Sequence, residues 1–141
     1  MTAIALAADW PARFVGLAYS PTGEGPDAFH CWAFVRHVQR EIFGRELPAA
    51  PASGGYVADA AAIAGSAEHA RWTRVGIPRD GDVVLLGRTR TPTHIGVWAT
   101  ADGGGVLHCL DPIGVVFHSR SRLALEHWRV EGIYRFVGAA V

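Results

Sequence analysis

The sequence contains no lysine: all 13 of its basic residues are arginine, and 13 acidic residues balance them. Without a basic excess nothing marks the chain to grip phosphates, so no nucleic-acid partner is expected. Cysteine is scarce too. Cys31 and Cys109 cannot build a disulfide framework, and they lie too far apart for zinc-finger spacing. No apolar run approaches the roughly 20 residues that cross a bilayer, so no membrane insertion is expected. The N-terminal Met1 to Ala8 lacks a basic stretch and is cut short by Asp9-Trp10-Pro11, which reads as no signal peptide. Internal repeats and dividing linkers are absent as well. What is present is apolar: half of the 141 residues, with a mean hydropathy of +0.16. That suffices for one core and a single domain spanning residues 1–141.

Alanines, Leu6, Trp10, Phe14 and Val15 fall at near-helical spacing and predict a helix over Thr2 to Val15, broken near Pro11. Gly16 to Phe29 reads as a loop, because Ser20 to Asp27 is dense in turn residues. From Cys31 the apolar Phe34, Val35, Val38 and Ile42 repeat at helical intervals, and Gly44 is suited to close the helix after about Phe43. An alanine-rich stretch from Tyr56 to about Ala70 predicts a second, peripheral helix. After Trp72 the pattern changes. Val83–Leu86, Ile95–Trp98, Val106–Leu110, Val115–His118 and Gly132–Val137 are short apolar or alternating runs set between turn clusters, and they read as strands. Helices first and strands afterwards imply an α+β domain, with helices on one face of an antiparallel sheet.

Cys31 is placed in the first turn of its helix, where unpaired N–H groups and the helix dipole favour a thiolate and lower the cysteine pKa. A lone cysteine on a helix can equally be a small buried apolar residue. A nucleophile needs a base within reach and a third group to orient that base. Of the seven histidines, His30 adjoins the cysteine, and His37, His69 and His127 lie in polar stretches that read as surface. His94 opens a strand and His108 lies in the next, where side chains are held more firmly than on loops. Strand side chains alternate, so these two share a face only if paired residue numbers have an even sum. A two-residue turn at Asp102-Gly103 would give an odd sum; the dyad requires a longer loop or a bulge. Cys109 reads as a small buried side chain facing away from His108. In ligand type alone, Cys31, His94 and His108 could also hold a metal.

Gly16-Leu17-Ala18-Tyr19, Gly23 to Phe29, Cys31 at a helix start, Leu47-Pro48, Gly81-Asp82-Val83-Val84, His94-Ile95-Gly96-Val97 and Leu107-His108 follow one another in an order that resembles the NlpC-type cysteine peptidases, a bacterial cell-wall hydrolase family. Cys31-Trp32 with the alanine-rich insert, and Trp128 to Arg135 at the end, are most similar to the phage-tail and gene-transfer-agent branch. The resemblance implies a papain-like α+β fold, with Cys31 as nucleophile, His94 as general base, His108 as its orienting residue and Tyr19 helping to stabilise the oxyanion. It implies hydrolysis of an amide in peptidoglycan stem peptides, commonly between D-glutamate and diaminopimelate, with no metal and no cofactor. Many members carry aspartate before the cysteine and serine after it, to hold the free amino end of the stem peptide. His30 and Trp32 occupy those places here and are therefore assigned to substrate selection. The branch implies phage-like tail proteins as partners, synthesis in a bacterial cytoplasm and action in a tail or particle. Two other readings use the same fold: a tail or assembly component with little hydrolytic activity, and thiol acyl transfer to an amine.

Overall fold

Among residues 9–47, 72–88 and 94–137, which the computed structural model describes, the short apolar runs form a six-stranded antiparallel sheet. Its strands are β3 (Trp72–Arg74), β4 (Val83–Gly87), β5 (His94–Ala99), β6 (Gly105–Leu110), β7 (Gly114–Ser119) and β8 (Arg129–Phe136), in the order β3-β8-β4-β5-β6-β7. Two further strands, β1 (Ala18–Tyr19) and β2 (Ala28–Phe29), pair in parallel just ahead of the helix α1 (Cys31–Phe43). That pairing sets Tyr19 beside Phe29, two residues before Cys31.

Helix α1 forms where the periodicity predicts it. Its N-cap is His30, whose Nδ1 accepts from the backbone N–H of Ala33 at 3.3 Å, and Gly44 closes it in the left-handed conformation at φ +66°. The helix lies against β5 and β6, burying Phe34, Val35 and Val38 completely. Each such side chain contributes roughly 1.5–3 kcal/mol of burial. Of the expected N-terminal helix, the described part is a single 3-10 turn at Trp10–Arg13, with Pro11 in its first turn. The alanine-rich helix expected over residues 56–70 lies outside the described residues.

The helices do not all cover one face. A short helix, α2 (Arg120–Leu125), lies against β6 and β7, and its Leu123 joins Val84, Leu86, Trp98 and Val106 in a second core on the side away from α1. The reason is visible in the strands themselves. β4, β5 and β6 are buried along their whole length, so both faces need cover. In sequence they are continuous apolar runs, the pattern of strands covered on both sides.

The β5–β6 register pairs Val97 with Leu107, Trp98 with Val106 and Ala99 with Gly105, an even sum. The connection is longer than two residues and contains a 3-10 turn at Ala101–Gly103, with Asp102 in the left-handed region at φ 51°. His94 and His108 therefore share a face as diagonal neighbours. The register places Gly96 across from His108, and a Cβ on Gly96 would lie 3.0 Å from the Cβ of His108. That Cβ would also strike Val106 Cγ1 at 2.5 Å, so the close approach of β5 to β6 beside the two histidines requires glycine.

Candidate active site

A cleft of about 320 Å³ opens at one end of the sheet, and Tyr19, Cys31, His94, Cys109, His118 and Trp128 are among its walls. Cys31 reaches it as the first residue of α1, at the positive end of the helix, where negative charge is favoured. His94 reaches it as the first residue of β5. Cys31 belongs to the core on the α1 side, whereas the His94 ring packs on Trp128 on the other side. Both line the cleft because it lies at the end of the strands.

Behind His94 the imidazoles form a chain. His94 Nε2 lies 2.9 Å from His108 Nδ1, and His108 Nε2 lies 3.0 Å from His118 Nδ1. His108 is fully buried and does not line the cleft; His118, on β7, is half-buried and does. The Trp128 ring covers this chain, with its centroid 5.0 Å from the ring of His94 and 5.8 Å from that of His108. The Arg88 guanidinium lies over Trp128 at 3.9 Å, held by a hydrogen bond from its Nε to the Glu126 carbonyl oxygen.

Burial decides the charge state. Desolvation, reinforced by the nearby Arg88 and His118, lowers the His94 pKa from 6.5 to about 3, and His108 is lowered in the same direction for the same first reason. Both rings are neutral at pH 7. The unfolded chain, in contrast, protonates them below pH 6.5. Between pH 6.5 and about 3 it thus binds more protons than the folded chain, and stability falls as pH falls. Each such proton costs about 1.4 kcal/mol per pH unit. Urea unfolding at pH 7.5 and pH 5 is expected to show a lower midpoint at pH 5, and His94→Leu to flatten that difference. An equal dependence in both proteins would refute the assignment.

Both cysteines are thiols within the described residues, not halves of a disulfide. Cys109, adjacent to His108, faces the α1 side, where its Sγ donates to the Phe29 carbonyl oxygen at 3.3 Å. Burial pushes its pKa up to about 12. At pH 8 it is almost wholly protonated and unreactive.

The other residues singled out in the sequence are placed differently. His30 is buried and engaged as the cap of α1, with its Nε2 3.2 Å from Glu24 Oε1, and Glu24 also pairs with Arg36 at 3.5 Å. Trp32 is 3 % exposed and belongs to the main core. Neither is on the cleft wall. His37 is not a solvated surface residue: it packs between Phe29, at 4.8 Å, and Phe14, at 5.7 Å. His127 is exposed, and His69 lies outside the described residues. His118 and Trp128, which are not among the site residues expected from the sequence, complete the site. The β6–β7 pairing sets Val106 opposite His118 and His108 opposite Val116, so alternation along that hairpin carried the signal for His118. Among the described residues no cluster of three or more histidine, cysteine or acidic side chains has the geometry to hold a metal ion.

The family model for the NlpC/P60 family matches residues 16–129, which contain every residue of this cleft. The chain belongs to the NlpC/P60 family. A comparison with curated proteins returns no match. Membership of the NlpC/P60 family fits an α+β papain-like fold and a cysteine peptidase that acts on peptidoglycan. For an NlpC/P60 chain, a thiol and an imidazole on one cleft wall are the groups such chemistry requires. Among the described residues no helix is long and apolar enough to cross a membrane.

Proposed function

We propose that the protein hydrolyses an amide bond in peptidoglycan stem peptides through Cys31, with His94 as general base, His108 orienting it and Tyr19 assisting at the oxyanion. One observation carries the reading: Cys31 and His94 open onto the same cleft, and the Nε2 of His94 is already occupied by His108. The remaining ring nitrogen, Nδ1, is the one left to take the thiol proton. Because His94 is neutral at pH 7, it has a lone pair with which to accept that proton. The thiolate adds to the scissile carbonyl, His94 returns the proton to the leaving amine, and water then releases the acyl group by the same route in reverse.

A bond of the D-glutamyl–diaminopimelate type and a phage-like tail setting, with tail proteins as partners, are the finer parts of the proposal. The resemblance of Cys31-Trp32 and the Trp128–Arg135 ending to the tail branch supports them. His30 and Trp32 would shape specificity indirectly, by fixing the helix that presents Cys31. The test is release of new amino ends from purified peptidoglycan fragments by the wild type and by Cys31→Ala. A cheaper measurement precedes it. At pH 8, iodoacetamide is expected to alkylate Cys31 while Cys109 stays unlabelled; equal, slow labelling of both would contradict the nucleophile assignment.

A further inference from the structure

We propose that His118 is the charge-bearing end of a three-histidine proton wire that begins at His94. The inference rests on the reading of Cys31 and His94 as nucleophile and base. Two N···N distances, 2.9 Å and 3.0 Å, fix the connectivity as His94 Nε2 to His108 Nδ1 and His108 Nε2 to His118 Nδ1. A neutral imidazole carries one N–H, so such a chain has only two polarities. In one, each ring is protonated on Nε2 and donates toward His118, leaving His94 Nδ1 bare. In the other, each is protonated on Nδ1, and His94 has no lone pair for the thiol. Only the first can act as a base.

The productive polarity also has somewhere to send the charge. When the Cys31 S–H bond breaks, an N–H bond forms at His94 Nδ1. The Nε2 proton of His94 moves to His108 Nδ1, and that of His108 moves to His118 Nδ1. Three protons each shift one step, no electrons change owner, and the imidazolium resides on His118. Return along the same path delivers a proton from His94 Nδ1 to the leaving amine. Burial makes a charge on His94 or His108 costly, whereas His118 is half-buried at the cleft and has Glu126 near enough to favour its charged form. The other charged groups around it are Arg122, which is bridged to Glu126 at 3.0 Å, Arg88 at the end of β4, and Asp111 on the same cleft wall. The arginines and burial oppose the charge, so the wire is neutral and ready at pH 7.

A proton taken from bulk solvent onto His118 Nδ1 imposes the unproductive polarity. The rate is therefore expected to fall as pH drops through the titration of His118, below the ordinary 6.5. Two variants separate its roles. Asparagine at 118 can accept from His108 but cannot take a proton; leucine can do neither. With ¹⁵N-labelled histidine at pH 7, long-range ¹H–¹⁵N spectra should show His94 and His108 protonated on Nε2 in the wild type and in His118→Asn, and a mixture of tautomers in His118→Leu. On peptidoglycan fragments, His118→Asn should keep KM within about twofold, lose kcat by roughly 10- to 100-fold, and move its acid limb to lower pH. Wild-type kcat in His118→Asn, an unmoved acid limb, or unchanged tautomers in His118→Leu would each overturn the wire. The spectra require no turnover, so they test the wire's polarity even if Cys31→Ala retains hydrolysis and the peptidase reading itself falls.

Discussion

Cys31→Ala is expected to release no more new amino ends from peptidoglycan fragments than buffer does, while unfolding at a urea midpoint close to that of the wild type. The loss is total because the acyl-enzyme needs a sulfur to carry the acyl group, and no second nucleophile can substitute. Cys109 shares the cleft, but its thiol points to the Phe29 carbonyl and is held in the protonated form. Folding is expected to survive because alanine keeps the first-turn helix position, and His30 still caps α1 through the Ala33 N–H. His94→Ala should retain a residual rate, lower by roughly 10²- to 10⁴-fold, the usual contribution of a positioned base. Hydrolysis by Cys31→Ala at even a tenth of the wild-type rate would exclude the thiol mechanism. A folded wild type that cleaves nothing would instead favour a structural role in a tail, and acyl transfer would show as amine-dependent product in place of new amino ends.

Much of this site is legible in the sequence, for identifiable reasons. Helix α1 is a strong 3.6-residue pattern ended by Gly44, and the strands are apolar runs bounded by turn residues, so both are set by local chemistry. Parity states the condition under which His94 and His108 share a face, because a pleated strand has only two faces, and the longer β5–β6 connection meets it. What local patterns miss is whatever depends on long-range packing. His30 stands where the resembling family carries a substrate-binding aspartate, and only the positions of Ala33 and Glu24 reveal its role as the helix cap. The continuous apolar runs of β4 to β6 do not say which element covers the second face of the sheet, so the place of α2 is set by long-range packing. Trp128 follows a helix and a turn, and nothing in its neighbours says that its ring will cover two histidines.

The largest loss of stability is expected away from the cleft, at Asp82. This carboxylate is 2 % exposed and receives three hydrogen bonds: from Arg135 Nε at 3.1 Å, from Arg135 Nη2 at 2.8 Å, and from the Arg79 backbone N–H at 2.8 Å. Its own backbone carbonyl accepts from Trp98 N at 2.7 Å, and the neighbouring Gly81 carbonyl accepts from Gln39 Nε2 at 2.9 Å. One turn therefore ties α1, β4, β5 and β8 together, and Asp82 is its buried carboxylate. The bidentate bond to Asp82 raises the Arg135 pKa. Asp82→Ala would leave a guanidinium and a backbone N–H without their acceptor, and removing one partner of a buried pair typically costs 3–5 kcal/mol. Arg135 keeps its bond to the Ile77 carbonyl and is itself 24 % exposed, so about 3 kcal/mol is expected. Asp82→Ala combined with Arg135→Met should cost less than the two single changes added together, since the second change removes the stranded charge. The turn lies at the start of β4, whereas Arg88, on the cleft wall, follows its last residue. At a temperature where Asp82→Ala is still folded, its kcat on peptidoglycan fragments should remain within about twofold of the wild type, a change worth under about 0.5 kcal/mol. A loss of stability below 1 kcal/mol would show that the pair contributes no more than an exposed one.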